Sequence, residues 1–241
     1  MKHPAPSETP FRKGLPSQVT RKLSLVRGGQ ARLLKTGDTL FHEGDERERI
    51  FVVESGWLKL SRTLSEGQRQ IVGFPTRGAI LGFEGPLDHV NHCEALTATV
   101  VHAFPVSALI QLCHDPRFGG TLLRQLGMQL GAAQTQLTSL GAQSAAQRTA
   151  AFLIFIADSC FDDEREFTLP MRRIDVAEFL GLRLETVSRM FGSFQQRGWI
   201  SMQALYQCRI TNRRALAALA SGSRTMKSFP LPSRRIAANE Y

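Results

Sequence analysis

Residues 173–191 constrain the fold more than any other stretch, because they predict two short helices that meet at a glycine. Apolar residues recur along the first helix at Ile174, Val176, Ala177, Phe179 and Leu180, and along one side of the second at Val187, Met190, Phe191 and Phe194. Gly181 lies between the helices, where a tight turn favours a residue that tolerates positive φ. The stretch therefore predicts a helix-turn-helix.

The opposite side of the second helix carries three polar side chains. Ser188 and Arg189 follow Glu185 by three and four residues, and this spacing places all three on one helix face. An acid, a hydroxyl and an arginine in the first turns of a helix can contact base edges in the major groove of DNA. A surface ion pair between Glu185 and Arg189 is the alternative. The working hypothesis is a helix that reads DNA.

The charge balance favours a polyanionic partner. The chain has 30 Lys and Arg against 21 Asp and Glu, a formal net charge of +9, which suits nucleic acid or an anionic membrane surface. No run reaches the roughly 18 apolar residues of a membrane-spanning helix, and residues 1–20 lack the apolar core of a secretory signal. We therefore expect a cytoplasmic protein without a membrane partner.

The cysteine spacing and the lack of catalytic motifs argue against a metal site and against an enzyme. Cys93, Cys113, Cys160 and Cys208 are scattered without a C-x-x-C pair, which is typical of free thiols in a reducing compartment. The sequence also shows no nucleophile–base pair, P-loop or metal-binding cluster. The chain is expected not to be an enzyme.

The predicted fold class is α+β. Short β-branched runs alternate with glycine-rich turns between about residues 31 and 104, which indicates an antiparallel β-barrel or jelly roll. Residues 198–202 and 208–211 predict the β-hairpin of a wing. The expected segments are a flexible basic arm (1–25), an effector-type β-barrel domain (26–116), a dimerisation helix and hinge (117–143), a winged helix-turn-helix domain (144–221) and a flexible tail (222–241).

The helix between the two domains carries a heptad-like row of apolar residues. They step by three and four along the chain, at Leu123, Leu126, Leu130, Ala133, Leu137 and Leu140. This pattern favours a helix that pairs with a second copy of the chain, and a helix packed on its own domain is the alternative. Gly127 and Gly131 each weaken the helix by up to about 1 kcal/mol relative to alanine.

The order of these parts resembles the Crp/Fnr superfamily of bacterial transcription regulators, over about residues 31–220. The matching stretches are 35–45, 53–56 and 78–84 in the barrel and, most specifically, 179–189 in the helix-turn-helix. The resemblance implies a homodimer that binds double-stranded DNA and activates transcription by contacting RNA polymerase through barrel loops and residues 161–166.

The reading helix resembles the Fnr/FixK branch of that superfamily. Crp-type readers have an arginine where this chain has Leu184 and a glycine where it has Ser188. The Glu185-x-x-Ser188-Arg189 arrangement implies a TTGA-N6-TCAA-like palindrome. Arg189 would donate to guanine O6 and N7 and Glu185 would accept from cytosine N4. Ser188 would contact a thymine or a phosphate.

Four further residues are expected to contact DNA. They are Arg172, Arg173, Arg183 and Thr186. Arg172 and Arg183 stand at the expected helix starts, where many relatives have Thr or Ser, and the absence of each cap costs about 1 kcal/mol. Contacts between these arginines and DNA phosphates would offset that cost.

The two ligands that the family suggests lack their anchoring residues. Cyclic AMP needs an arginine beside a small hydroxyl residue and a nearby glutamate, whereas this chain has His92-Cys93-Glu94-Ala95 and Phe83, with Glu84 adjacent. The [4Fe–4S] cluster of the Fnr oxygen sensor needs three N-terminal cysteines and one in the barrel. Residues 1–40 contain no cysteine and the barrel position is His102. We expect no cofactor.

Two alternative functions stay open at this point. One is a heme-based gas sensor of the same fold, and its candidate axial ligands are His42, His89, His92, His102 and His114. The other is a ligand-binding regulatory subunit, which the complete winged-helix pattern opposes. Oxidation of Cys208 in the wing is a further way in which DNA binding would be controlled. The alternative is that Cys208 is an inert thiol.

Overall fold

The computed structural model describes residues 29–65, 67–85, 87–107, 111, 114, 116–160, 166–203 and 206–222. The predicted basic arm and almost all of the predicted tail lie outside these residues. The described part of the N-terminal domain forms eight strands, β1 (Gln30–Leu34), β2 (Thr39–Phe41), β3 (Arg49–Ser55), β4 (Leu58–Thr63), β5 (Arg69–Gly73), β6 (Ile80–Leu81), β7 (His92–Ala95) and β8 (Thr99–Pro105).

These strands pair into two antiparallel four-stranded sheets, with orders β1-β8-β3-β6 and β2-β7-β4-β5. The predicted α+β class is confirmed, and the strands form the jelly-roll-like pair of sheets rather than one closed barrel. Apolar side chains from both sheets meet in one core, among them Phe41, Phe51, Leu58 and Val101. Gly56 has φ +90, and a Cβ there would lie 2.5 Å from the Ala98 carbonyl oxygen, so the β3–β4 turn requires glycine.

The second half of the described chain contains five helices and a small sheet. They are α1 (Pro116–Ala142), α2 (Ala145–Ser159), β9 (Glu166–Thr168), α3 (Arg173–Leu180), α4 (Leu184–Gln196), β10 (Ile200–Met202), β11 (Gln207–Ile210) and α5 (Arg213–Ala220). The strands pair antiparallel in the order β10-β11-β9. The helix-turn-helix and the wing therefore form where the sequence predicts them.

Local chemistry sets the ends of these helices. The Ser144 side chain accepts a hydrogen bond from the Gln147 backbone N–H, and the Gln147 side chain accepts from the Ser144 N–H. This capping box starts α2 directly after α1. Gly181 ends α3 in the left-handed conformation, φ 60 and ψ 43, as the turn requires.

The two domains share one hydrophobic cluster. Ile71 of β5 and Phe74 just after it join the buried residues of α2, α3 and α4. The ring centroid of Phe74 lies 5.2 Å from that of Phe179 and 6.0 Å from that of Phe152. The helix-turn-helix thus packs on the edge of the N-terminal domain, an arrangement that the sequence does not predict.

Within the described residues, no helix combines the length and the apolarity needed to cross a membrane.

Candidate nucleic-acid interface

Helix α4 presents the three predicted reading residues to solvent. Its inner side is buried, with Val187 0% and Phe191 2% exposed. Glu185, Ser188 and Arg189 are all exposed on the outer side. The helix therefore offers an acid, a hydroxyl and a guanidinium on one open face, without rearrangement of its packing.

The helix starts fall on the two predicted arginines. Arg172 precedes α3 and Arg183 precedes α4, and neither side chain makes a capping hydrogen bond. At α3 the Asp175 carboxylate accepts from the Arg172 backbone N–H at 3.0 Å, which is half of a capping box. At α4 the exposed Arg183 adds positive charge to a helix N-terminus that already favours anions. The start of α4 is thus suited to a phosphate.

Arg173 is packed inside the helix-turn-helix. Its guanidinium carbon lies 3.4 Å from the centroid of the Phe191 ring, and its Nη2 lies 3.8 Å from the Met202 Sδ. Burial lowers the pKa of Arg173. The side chain therefore links α3, α4 and the wing, and its contact with DNA stays a prediction. Thr186 is half-buried in the first turn of α4, and its contact with DNA stays a prediction as well.

Cys208 lies in the interior of the winged domain. It is 0% exposed and pairs with Met202 across β10 and β11. Burial raises the pKa of Cys208 to about 12, although Arg173 acts in the opposite direction. Since the thiolate is the reactive form, this position favours an inert thiol over a redox switch.

The apolar row of α1 does not share one environment. Leu123, Leu130 and Leu137 are 71%, 61% and 70% exposed, and Ala133 is also exposed. Leu126 packs instead against the cluster formed by β3, β6 and β8, and the Leu140 Cδ2 atom lies beside Gly181. A straight α-helix drifts by about 20° per heptad. Leu123, Leu130, Ala133 and Leu137 therefore lie on the open side of α1, while Leu126 and Leu140 contact other parts of the same chain.

The segment that corresponds to the cyclic-nucleotide phosphate site forms strand β7. Cys93 and Ala95 are fully buried there, and Glu94 pairs with the Lys59 ammonium at 3.0 Å. The Glu84 carboxylate accepts from the Gly82 N–H at 3.0 Å. His92 and Glu94 of this strand offer an imidazole and a carboxylate. The cyclic phosphate would need a guanidinium and a hydroxyl at these positions. These residues do not fit a cyclic nucleotide bound in the family's manner.

The described cysteines do not fit a four-thiolate cluster either. Cys93 belongs to the core between the two sheets and Cys208 to the core of the winged domain. Burial raises the pKa of Cys93 strongly. No set of three or more His, Cys, Asp or Glu side chains is arranged for a metal ion in the part of the chain that the structure describes.

The candidate heme ligands have other contacts. His89 is 5% exposed and stacks on Phe41 with ring centroids 3.8 Å apart, and burial lowers its pKa. The His102 Nε2 lies 2.5 Å from a Glu54 carboxylate oxygen. The His42 and His92 rings lie 5.0 Å apart. None of these contacts favours the alternative of a heme-based sensor.

Sequence reasoning missed a set of charged residues between the domains. Lys59 is 3% exposed and Asp175 is 0% exposed, and the Lys59 ammonium lies 3.7 Å from the Asp175 carboxylate. The available signal was a charged residue between apolar neighbours in each element, Lys59 between two leucines and Asp175 between Ile174 and Val176. Such a signal does not identify the partner.

Both domains match known protein families. A family model described as "Cyclic nucleotide-binding domain" matches residues 31–115, and one described as "Crp-like helix-turn-helix domain" matches residues 147–219. The chain is 32% identical to the fumarate and nitrate reduction regulatory protein of Salmonella typhimurium over 199 residues, covering 80% of this chain and 79% of that protein. The protein of the same name from Escherichia coli is 31% identical with the same coverage.

A solved structure gives the same assignment. The chain is similar to FixK2 from Bradyrhizobium japonicum with a TM-score of 0.73 and 28% identity, covering 79% of this chain and 96% of that one. The relatives are regulators, so the prediction that the chain is not an enzyme is confirmed. With both domains matched in order, the chain belongs to the Crp/Fnr family of DNA-binding transcription regulators.

Proposed function

We propose that the chain acts as a homodimer of Fnr/FixK type that reads a TTGA-N6-TCAA-like palindrome through Glu185, Ser188 and Arg189. The observation that carries this proposal is the exposed face of α4, where the three side chains stand together above a buried apolar side. An Arg pairs with guanine O6 and N7, and a carboxylate accepts from cytosine N4. One G·C pair in each TTGA half-site would therefore receive both Arg189 and Glu185.

The apolar stripe of α1 supports the dimer. Leu123, Leu130 and Leu137 lie seven residues apart and are all more than half exposed. A two-fold pairing through this stripe is self-complementary, and it relates two reading helices by the same symmetry as a palindrome. Half-sites about 10 base pairs apart, or about 34 Å, would then lie on one face of DNA.

Activation through RNA polymerase belongs to the same proposal. It is carried by the family resemblance, which implicates loops of the N-terminal domain and residues 161–166. Residues 161–165 lie outside the described chain.

Selection of DNA by the purified full-length protein tests the function directly. Random duplexes retained at a stated salt concentration would be sequenced, because affinity without the salt concentration is not interpretable. The expected product is an inverted repeat of TTGA with a six-base-pair spacer. Recovery of a different half-site would refute the reading assignment, and recovery of a single half-site would refute the dimer.

The phosphate role of Arg183 gives a separate prediction. Arg183→Thr should weaken binding to all duplexes to a similar extent and reduce the slope of log K against log salt by about 0.9 for each phosphate that the protein no longer neutralises. The threonine should at the same time raise the free energy of unfolding by about 1 kcal/mol, since it restores a helix cap. Titrations at several salt concentrations and thermal unfolding measure the two effects.

Arg32→Thr is the matched control, because Arg32 is an exposed arginine on β1 of the other domain. It should leave the salt slope unchanged. An Arg183→Thr protein with wild-type affinity and wild-type salt slope would show that Arg183 does not contact a phosphate.

A further inference from the structure

Helix α3 is held at its C-terminal end by three other parts of the chain. The last carbonyl groups of a helix have no partner within it. Here the carbonyl oxygens of Glu178, Phe179 and Leu180 accept hydrogen bonds from side chains of β5, α1 and α2, respectively. The donors are Gln70 Nε2, Gln136 Nε2 at 2.9 Å and Arg148 Nη1 at 2.6 Å.

The first turn of α3 is held by charge. Asp175 is 0% exposed and its carboxylate lies between two cations of the N-terminal domain. The distances from its Oδ1 are 3.7 Å to the Lys59 Nζ and 3.4 Å to the Arg69 Nη2. Its Oδ2 lies 3.2 Å from the Arg172 Nε within the helix-turn-helix. The carboxylate is therefore shared between the two domains.

Arg69 adds a two-point contact with the last turn of the same helix. Its Nε donates to the Glu178 Oε2 at 2.8 Å and its Nη2 to the Oε1 at 3.2 Å. The hydrogen bond to Glu178 raises the pKa of Arg69. Fork-to-fork pairing of this kind fixes orientation as well as distance.

The charges of this junction balance. Lys59, Arg69 and Arg172 face Asp175, Glu178 and Glu94, the last through its 3.0 Å contact with Lys59. A shift of the domains would take Arg69 away from both Asp175 and Glu178 and Lys59 away from Asp175, whereas the Lys59–Glu94 and Arg172–Asp175 contacts each lie within one domain. The junction therefore favours one relative position of the two domains over nearby ones.

We propose that Lys59, Arg69 and Gln70 of the N-terminal domain, together with Asp175 and Glu178 of α3, form an interdomain clamp that positions the reading helix. The clamp contacts the first and the last turn of α3. Helix α3 is joined to α4 by the three-residue turn from Gly181 to Arg183. In the dimer, the clamp sets the distance and angle between the two copies of α4. Arg69 is thus a positioning residue for DNA binding, although it contacts no base.

The clamp does not mask the reading face. It engages Asp175 and Glu178 of α3, whereas Glu185, Ser188 and Arg189 of α4 are exposed. An autoinhibitory contact of the masking type would cover those side chains. Release of the clamp is therefore expected to weaken operator binding, because the domains would sample positions in which the two reading helices do not match the half-site spacing.

The test compares binding to four DNAs at one salt concentration. They are the full palindrome, a duplex with one half-site, and palindromes whose spacer is one base pair longer or shorter. Arg69→Gln and Glu178→Gln should each weaken binding to the full palindrome by about tenfold, within the roughly 5- to 150-fold range of coupling between sites. Binding to the single half-site should stay unchanged, and the preference for the correct spacer should shrink.

Two further variants make the result specific to the clamp. The double variant Arg69→Gln with Glu178→Gln should bind little more weakly than Arg69→Gln alone, because Arg69→Gln already removes the contact with Glu178. Arg62→Gln is the matched control, since Arg62 lies on β4 and pairs with Glu43 of its own domain at 3.8 Å. Gln70→Ala removes only one hydrogen bond to α3 and replaces the charge variants in the test if those do not fold. Like them, it should reduce the preference for the correct spacer.

Equal weakening on the palindrome and the single half-site would overturn the clamp, as would unchanged or tighter binding of the palindrome by folded Arg69→Gln and Gln70→Ala proteins. In each of these cases the junction would serve folding or inhibition rather than positioning.

A measurement without DNA separates the clamp from the proposed function on which it rests. A nitroxide spin label is attached to a cysteine introduced by Gln196→Cys at the end of α4, and Cys113 and Cys160 are replaced by serine so that they are not labelled. The distance between the two labels then reports the separation of the two α4 helices in the free dimer. The wild-type background should give a narrow distribution and Arg69→Gln a broad one. A narrow distribution in both proteins would contradict the clamp alone. A wild-type protein that gives no interprotomer distance and selects no palindrome would contradict the dimeric function, and the clamp with it.

Discussion

Replacing Leu130 and Leu137 together by glutamate is expected to produce a monomer that no longer retains the palindrome. The two side chains are 61% and 70% exposed in the single chain, so the substitutions do not disturb its own core. Burial of a leucine contributes about 2 kcal/mol, and the paired stripe would lose four leucines while bringing four carboxylates together. Light scattering coupled to size-exclusion chromatography measures the mass, and a gel-shift titration measures the binding.

Leu33→Glu is the control for this prediction. Leu33 is 74% exposed on β1, so it matches the exposure of the stripe without lying on α1. The control protein should keep the mass and affinity of the wild type. A monomeric Leu130→Glu, Leu137→Glu protein with wild-type affinity for the palindrome would end the dimer mechanism.

Arg189→Ala is expected to remove discrimination at the guanine of each TTGA half-site. A bidentate contact contributes about 1–3 kcal/mol of discrimination per base, and the dimer makes two, so affinity for the palindrome should fall at least about thirtyfold. The fall should be much smaller on duplexes in which both guanines are replaced, since the contact is already missing there. Competition titrations with the two duplexes measure the difference.

Arg189→Lys separates the charge of this residue from its geometry. Lysine keeps the positive charge but not the planar fork that matches guanine. The variant should retain the salt dependence of the wild type and lose most of its preference for guanine. If Arg189→Ala kept the full preference, the reading assignment would be wrong, and Arg189 would belong to the solvent-exposed surface or to an ion pair with Glu185.

The helix-turn-helix is the part that the sequence predicts best. The helix starts at Arg172 and Arg183 follow from the family resemblance, whereas the two helices and the glycine turn at Gly181 follow from spacing within a few residues. The wing strands fall within the predicted hairpin for the same reason. Periodicity, backbone freedom and capping are short-range properties, so a stretch of about 20 residues contains the information that they need.

Helix α1 shows a property that short-range patterns do not predict, namely which neighbour covers each of its faces. Its apolar spacing predicts one seam from Leu123 to Leu140, but Leu126 packs on the N-terminal domain and Leu140 lies beside the turn of the helix-turn-helix. Spacing tells which residues share a helix face and does not tell which neighbour covers that face. The open stripe is thus narrower than the pattern suggests.

The sequence by itself determined that Glu185, Ser188 and Arg189 share one face, the proposed reading face, because they are related by the geometry of a single helix. The tertiary structure alone decided what holds that face in place. Arg69 meets Glu178 across 109 residues of chain, and Gln136 reaches the Phe179 carbonyl from another helix. Such contacts depend on how two folded domains come together, and no local periodicity encodes the pairing of one charged side chain with another so far along the chain.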